Sequence, residues 1–175
     1  MNLHLTTGTI SYMNDLKKNN EGLHIAAIGK DALLYYESEE KESMFSSRHS
    51  YNLSHSTNDL DEYSPVSIHF IPVPGDSKGP VYGHLSRLSE VLDGTRGVQF
   101  YRIGEALGED EFIVMVGWAQ SSTYYDFKDT EGYSEYLSTD ALAKFRTEES
   151  LFHKSISSKF YLPLKDNEEN EEDDF

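Results

Sequence analysis

The residues whose types could support chemistry are scattered along this chain and form no recognised catalytic pattern. Asp59, Asp61 and Glu62 could offer carboxylate oxygens to a cation, but their spacing is not that of a calcium-binding loop. Gly94 and Gly97 bracket a predicted turn, and no predicted helix begins behind them to cradle a phosphate group. Cysteine is absent, which excludes disulfide bonds, thiolate metal sites and cysteine nucleophiles and is typical of a reducing compartment.

Two further side chains could line a pocket. His84 directly precedes Leu85 in an apolar helical stripe, where an imidazole is either a hydrogen-bonded residue at the edge of the core or a ligand. Trp118 ends an apolar strand, where a core or rim position is the ordinary alternative to a functional one. The sequence alone leaves both alternatives open.

A regular order of strands and helices must position these side chains. Apolar and β-branched runs predict strands over residues 66–73, 97–103, 112–119 and 159–164. Helical spacing predicts one helix over 81–92, and a second, aromatic helix begins with Ser121 as its cap, breaks near Gly132 and resumes over 139–145. The order strand, helix, strand, strand, helix, strand predicts an α+β fold with a ferredoxin-like βαββαβ domain over residues 65–165.

Residues 1–64 are predicted to form a β-rich N-terminal extension and a polar connection. We expect a strand over 3–10, a helix over 11–18 capped by Ser11, and a hairpin that turns at Gly29 in the left-handed conformation. This strand–helix–hairpin unit is too short to bury both of its faces, so it should pack against the later domain and add strands to it. Residues 37–64 are predicted to be a polar connection in which one anchored element packs against the body of the protein.

The charge distribution limits the partners of the chain. It carries 31 acidic and 15 basic residues, a net charge of −16, which disfavours binding to nucleic acid and electrostatic docking on anionic membranes. Seven carboxylates lie in residues 166–175, which are predicted to be a disordered acidic tail. Because no apolar run approaches the roughly 18–20 residues of a membrane helix and no signal pattern opens the sequence, the expected location is the cytoplasm.

An ordered set of short motifs resembles the staphylococcal TRAP family (target of RNAIII-activating protein), within the antibiotic-biosynthesis-monooxygenase (ABM) superfamily of dimeric α/β barrels. The resemblance spans nearly the whole chain except the acidic tail. It is carried by Thr6-Thr-Gly-Thr9, Phe70-Ile-Pro72, Trp118, Asp126-Phe-Lys128, Tyr133-Ser-Glu-Tyr-Leu137, Asp140-Ala-Leu142 and Phe160-Tyr-Leu-Pro-Leu-Lys165.

The resemblance implies a homodimer whose two sheets close a barrel, which would remove exposed sheet edges. It further implies a non-catalytic regulatory or stress-signalling role, a signalling protein partner, peripheral contact with a membrane and phosphorylation on histidine. Of the three histidines proposed for the family, only His153 has a counterpart here, since the other two positions fall near Ser64 and Ser77. Glu148 and Glu149 weaken this candidate because they would repel an incoming phosphate.

The alternative implied by the resemblance is a heme-binding or heme-degrading monooxygenase. The histidine ligand, the tryptophan and the asparagine of such enzymes match Leu137, Phe127 and Pro72, none of which can perform those roles. We therefore expect no cofactor, with heme as the alternative. His84, Trp118 and Phe127 are the candidates for lining a pocket, and His84 is the replacement ligand.

Overall fold

The chain folds into an α+β structure in a computed structural model that describes residues 1–46, 49–146 and 154–164. The strands are β1 Asn2–Thr9, β2 His24–Ile28, β3 Asp31–Ser38, β4 His49–Thr57, β5 Val66–Pro72, β6 Val98–Ala106, β7 Glu111–Trp118 and β8 Ser157–Pro163. The helices are α1 Ile10–Asn19, α2 Lys78–Asp93, α3 Ser121–Lys128, α4 Glu131–Tyr136 and α5 Thr139–Ala143, with a 3₁₀ turn over Gly75–Ser77.

The strands close an antiparallel barrel in the order β1-β3-β2-β8-β5-β7-β6-β4. This order contains the same arrangement twice, because β4-β1-β3-β2 in the first half corresponds to β8-β5-β7-β6 in the second. Both halves therefore have the strand order of a ferredoxin-like sheet. The second half keeps helices at both positions, whereas residues 39–46 of the first half form bends where the second helix would lie.

Two strand pairings join the halves. Strand β4 pairs with β6 from Tyr51 opposite Ala106 to Thr57 opposite Tyr101, with an irregularity between Leu53 and His55. Strand β2 pairs with β8 through Ala26 opposite Pro163 and Ala27 opposite Leu162. The resemblance implies a dimer whose two sheets close the barrel, whereas in this structure both pairings lie within one chain. The dimer itself stays a prediction.

Strand β4 lies within residues 37–64, for which the sequence predicts a polar connection with one anchored element. Its sequence is largely polar, with Tyr51 and Leu53 as its large apolar side chains. Tyr51 is buried in the barrel interior and Leu53 packs against the same cluster, while the alternate side chains lie outside. A strand with so few apolar side chains gives a weak signal in sequence, although it supplies one of the two junctions between the halves.

Both predicted serine caps are wrong by one or two residues. Helix α1 has Thr9 at its N-cap, since the chain turns directly from β1 into the helix and the Ile10 amide donates to the Lys30 carbonyl, 3.1 Å. Helix α3 has Gln120 at its N-cap, in a capping box with Thr123. The turn at Gly29 is confirmed, because this residue has a φ of 59°.

Three apolar clusters stabilise the fold. One fills the barrel, a second lies between the outer face of β5–β7 and helices α2–α5, and a third lies under α1. The predicted stripe of α2 belongs to the second cluster, where Val81, Leu85, Leu88 and Leu92 are buried. The helices of the second half therefore cover one face of its sheet and create a helix–sheet layer.

Gly104 allows the close approach of β4 and β6, and its replacement should weaken that junction. A Cβ atom at Gly104 would lie 2.6 Å from the backbone carbonyl oxygen of Asn52, which cannot move without shifting the strand. We expect Gly104→Ala to lower the free energy of unfolding by about 1–3 kcal/mol. In contrast, Gly83 lies within α2 with nothing within 4 Å of its added Cβ, so Gly83→Ala should stabilise the protein by about 1 kcal/mol. Urea unfolding of both variants measures this, and an unchanged stability of Gly104→Ala would contradict the close packing of this junction.

Candidate functional site

The helix–sheet layer of the second half contains the three predicted pocket residues, and two of them, Trp118 and Phe127, are in contact. Alternation along β7 places Phe112, Val114, Val116 and Trp118 on the outer face, where they meet the helices. Trp118 is fully buried, and its Nε1–H donates to Ser67 Oγ of β5 at 2.9 Å. The Trp118 ring lies 5.3 Å from that of Phe127, between ring centroids. The structure thus brings Trp118 and Phe127 together, as neighbours in a packed core.

Aromatic rings fill the surroundings of this pair. Tyr124 lies 5.5 Å from Trp118 and stacks on Phe160 of β8 at 4.7 Å, and Tyr133 packs edge-on against Phe127 at 5.8 Å. Burial raises the pKa of the Tyr124 hydroxyl to about 12, so this phenol is neutral near pH 7. The layer is therefore apolar and poor in groups that could transfer a proton.

His69 is the exception in this layer, and the sequence analysis did not single it out. It lies on β5, is only 3% exposed, and neither of its ring nitrogens has a hydrogen-bond partner among the described residues. Its ring lies 6.3 Å from that of Tyr133. Burial, assisted by the charge of Lys128, lowers the pKa of His69 to about 4. The imidazole is consequently neutral at physiological pH and retains a free nitrogen lone pair.

The alternation of inward and outward side chains along β5 could have identified His69 from the sequence. Val66, Ile68 and Phe70 belong to the barrel cluster, so the intervening Ser67, His69 and Ile71 must face the helices. Histidine at a helix-facing position of an otherwise apolar strand could have been selected on that ground. Its lack of partners is a property of the folded state and has no sequence signature.

His84, the third predicted pocket residue, lies elsewhere in the layer. It is buried on α2, its Nε2 atom is 2.9 Å from the Tyr136 carbonyl oxygen, and its ring packs against Tyr136 and Phe145 at 5.2 and 5.0 Å. Burial is the main cause that lowers its pKa. These contacts are those of a hydrogen-bonded core histidine, and they differ from the contacts made by Trp118 and Phe127.

The remaining candidate positions offer little chemistry. Leu137 is buried at the end of α4, and Pro72 ends β5 opposite Glu111. His153 lies outside the described residues, as does the predicted acidic tail. Across the described parts of the chain, no three His, Cys, Asp or Glu side chains are grouped so that they could hold a metal ion. Within the same parts, every helix is too short or too polar to cross a membrane.

Comparison with known proteins gives similarity along almost the whole chain at low identity. No protein-family model matches it. The signal transduction protein TRAP of Staphylococcus epidermidis is 24% identical over 167 residues, which are 95% of this chain and 99% of that protein. The TRAP protein of Staphylococcus aureus strain MRSA252 is 22% identical over 94% of this chain and 98% of its own length.

Solved structures show the same fold. The structure described as a major regulator of staphylococcal pathogenesis superposes with a TM-score of 0.81 at 19% identity, covering 93% of this chain and 99% of that one. A ferredoxin-fold protein of Listeria monocytogenes related to antibiotic biosynthesis monooxygenases gives 0.75 at 20% identity, over 91% and 92% of the two chains. A heme-degrading enzyme of the same species gives 0.74 at 18% identity, over 93% and 99%. The α+β fold with ferredoxin-like halves is therefore shared with monooxygenase-related proteins.

Proposed function

We propose that this chain is a TRAP-family protein on an ABM-type scaffold and that it acts as a non-catalytic regulator. The observation that carries the proposal is the similarity to signal transduction proteins named TRAP, which runs over 95% of this chain and 99% of the relative. Such coverage leaves no room in the relative for a separate signalling domain that this chain would lack.

The content of the helix–sheet layer supports a role without catalysis. A heme monooxygenase needs an iron ligand and polar groups at the bound oxygen, and Leu137 and Pro72 supply neither. The rings of Tyr124 and Phe127 lie 5.5 and 5.3 Å from that of Trp118 and occupy the space beside the sheet. A substrate would have to displace well-packed aromatic side chains to enter.

The proposal also covers the location, the oligomeric state, the partners and the phosphorylation of the protein. The protein takes part in signalling or stress responses in the cytoplasm, as a homodimer that contacts a signalling protein and at most the surface of a membrane. Its net charge of −16 opposes direct contact with nucleic acid. His153 is the candidate phosphate acceptor, because a neutral imidazole nitrogen can accept a phosphoryl group.

Deletion of the gene, followed by comparison of transcript levels, tests the regulatory role. We expect a reproducible change that the wild-type gene reverses on complementation. A His153→Ala gene should fail to reverse it, and acid-labile phosphate present on the wild-type protein should be absent from this variant. Unchanged transcripts in the deletion strain would contradict regulation, and phosphate that persists in His153→Ala would eliminate this acceptor.

Heme binding through His69 is the second candidate function, and one observation favours it. Three histidines are buried among the described residues; His4 and His84 have hydrogen-bond partners there, whereas neither nitrogen of His69 has one. A neutral imidazole is the form that ligates iron, and the depressed pKa of His69 keeps it in that form. Bound heme would bring redox chemistry that this chain's own side chains lack, while Trp118, Phe127 and Tyr133 would supply apolar walls.

Titration of the purified protein with hemin separates the two candidates. Heme binding predicts a saturable one-to-one shift of the Soret band that His69→Ala removes and the matched variant His84→Ala retains. A shift retained by His69→Ala and removed by His84→Ala would assign the ligand to α2 instead. Loss of the Soret band after addition of a reductant would demonstrate degradation and overturn the non-catalytic proposal.

A further inference from the structure

One end of the barrel opens into a pocket that is separate from the helix–sheet layer. It has a volume of about 380 Å³ and is formed mainly by inward-facing side chains of β1, β3, β5, β7 and β8. We call it the barrel mouth. Its floor is apolar, with Leu5, Leu33 and Phe70, and its polar groups are contributed by Thr7, Glu111, Lys159 and Tyr161, among others. A pocket of this size is sufficient for a small organic molecule.

Glu111 is the buried charged group of the barrel mouth. The residue is only 6% exposed, and its Oε2 atom accepts a hydrogen bond of 2.6 Å from the hydroxyl of buried Tyr51. Burial, together with this hydrogen bond, raises the pKa of Tyr51, so the hydroxyl keeps the proton that it donates. Tyr51 therefore fixes one carboxylate oxygen in place on the wall of the pocket.

The second oxygen of Glu111 has no such support. Within residues 1–46, 49–146 and 154–164, no side chain donates a hydrogen bond to Oε1, and no Lys, Arg or His nitrogen lies within 4.0 Å of this carboxylate. Buried carboxylates are ordinarily paired with a cation or with several donors, because desolvation of an unpaired charge is costly. In the barrel mouth, Tyr51 therefore holds one oxygen of the Glu111 carboxylate, and the other oxygen has no donor among the described side chains.

The rim carries the opposite charge. Lys154 pairs with Glu109 at 3.4 Å, with both side chains more than half exposed, and Lys159 also lines the pocket. Lys159 makes no ion pair with any residue of the described segments. The pocket therefore has a negative group on its wall, an apolar floor, and a positive group towards its opening.

We propose that the barrel mouth is a binding site for a small zwitterion that carries an ammonium group and a separate anionic group. The ammonium group binds the free oxygen of Glu111, the anionic group meets the ammonium of Lys159, and the intervening methylene groups contact Leu33 and Phe70. A ligand with only one charge would leave either Glu111 or Lys159 without a counterion. The site is independent of the helix–sheet layer and of the proposed regulatory role.

Calorimetric titration with three probes of matched chain length tests this inference. The probes are ε-aminocaproic acid, which carries both charges, hexylamine, which carries only the ammonium, and caproic acid, which carries only the carboxylate. We expect saturable binding of ε-aminocaproic acid, weaker binding of hexylamine and no binding of caproic acid. Failure of all three to bind, or equal affinities of the first two, would overturn the proposal.

Substitutions assign the binding to the two charges. Glu111→Gln should weaken ε-aminocaproic acid about tenfold or more, since it removes a charge-assisted contact. Glu135→Gln is the matched control, because it makes the same change at an exposed position on α4 and should leave the affinity unchanged. Lys159→Ala, on the exposed rim, should weaken the binding of ε-aminocaproic acid and leave the binding of hexylamine unaffected. This variant still tests the proposal if Glu111→Gln does not fold. Equal affinity in Glu111→Gln and wild type would refute the role of the buried carboxylate.

Discussion

An Arg102→Met variant is expected to lose about 3–5 kcal/mol of its free energy of unfolding, the cost of removing one partner from a buried charged network. Arg102 lies on β6, and its side chain is 4% exposed. It forms an ion pair with Glu37 of β3 and donates hydrogen bonds to the carbonyl oxygens of Thr57, Tyr101 and Asn58, 2.6–2.8 Å. Methionine preserves most of the side-chain volume, so the expected loss comes from a carboxylate and three carbonyls left without their donor.

Chemical unfolding of single and double variants measures this effect. Arg96→Met is the matched control, because Arg96 is exposed, and we expect its stability to change by less than about 0.5 kcal/mol. Adding Glu37→Leu to Arg102→Met should recover part of the loss, since the carboxylate would no longer be left unpaired. If Arg102→Met were as stable as the Arg96→Met control, the network would have no structural role.

The wild-type protein should lose about 3 kcal/mol of stability between pH 7 and pH 4 through His69 alone. The folded state holds the pKa of this imidazole at about 4, below the ordinary value of 6.5 that the unfolded chain has. Between pH 4 and pH 6.5, His69 is mostly protonated in the unfolded state and mostly neutral in the folded state. Acidification therefore favours unfolding, and the stability contributed by the depressed pKa is fully present above pH 6.5.

A His69→Leu variant isolates this contribution from the many carboxylates of the chain. The difference in unfolding free energy between His69→Leu and wild type should shift by about 3 kcal/mol in favour of the variant as the pH falls from 7 to 4. His49→Gln removes one imidazole from an exposed position and serves as the control. A constant difference between His69→Leu and wild type across this range would mean that the His69 side chain is not kept neutral by its surroundings.

Strands with regular apolar patterns could be predicted from the sequence, and strands without such a pattern could not. Strand β7, predicted over 112–119, is observed at Glu111–Trp118, and helix α2, predicted over 81–92, at Lys78–Asp93. These elements bury apolar side chains in their own half, so their local sequence contains most of the information. Strand β4 is stabilised by pairing with β1 and β6, and this pairing depends on backbone groups far apart in sequence.

The same distinction applies to the candidate site. Trp118 was singled out as the aromatic residue that ends a predicted strand, and Phe127 through its match to the tryptophan of heme-degrading enzymes. The sequence did not predict that their rings would lie 5.3 Å apart. His69 and Glu111 were not selected, because a histidine or glutamate within a strand is usually exposed. Their interest comes from burial and from missing partners, which depend on the helices and strands that cover them.

Closure of the barrel within one chain gives the two halves different evolutionary freedom. In an assembly of identical subunits, every substitution appears twice, so a change that suits one face must also be tolerated on the other. Here β5–β8 carry α2–α5 and a layer with Trp118 and His69, while β1–β4 carry only α1 among the described helices. One half can therefore diverge towards a new ligand or partner while the other preserves the scaffold.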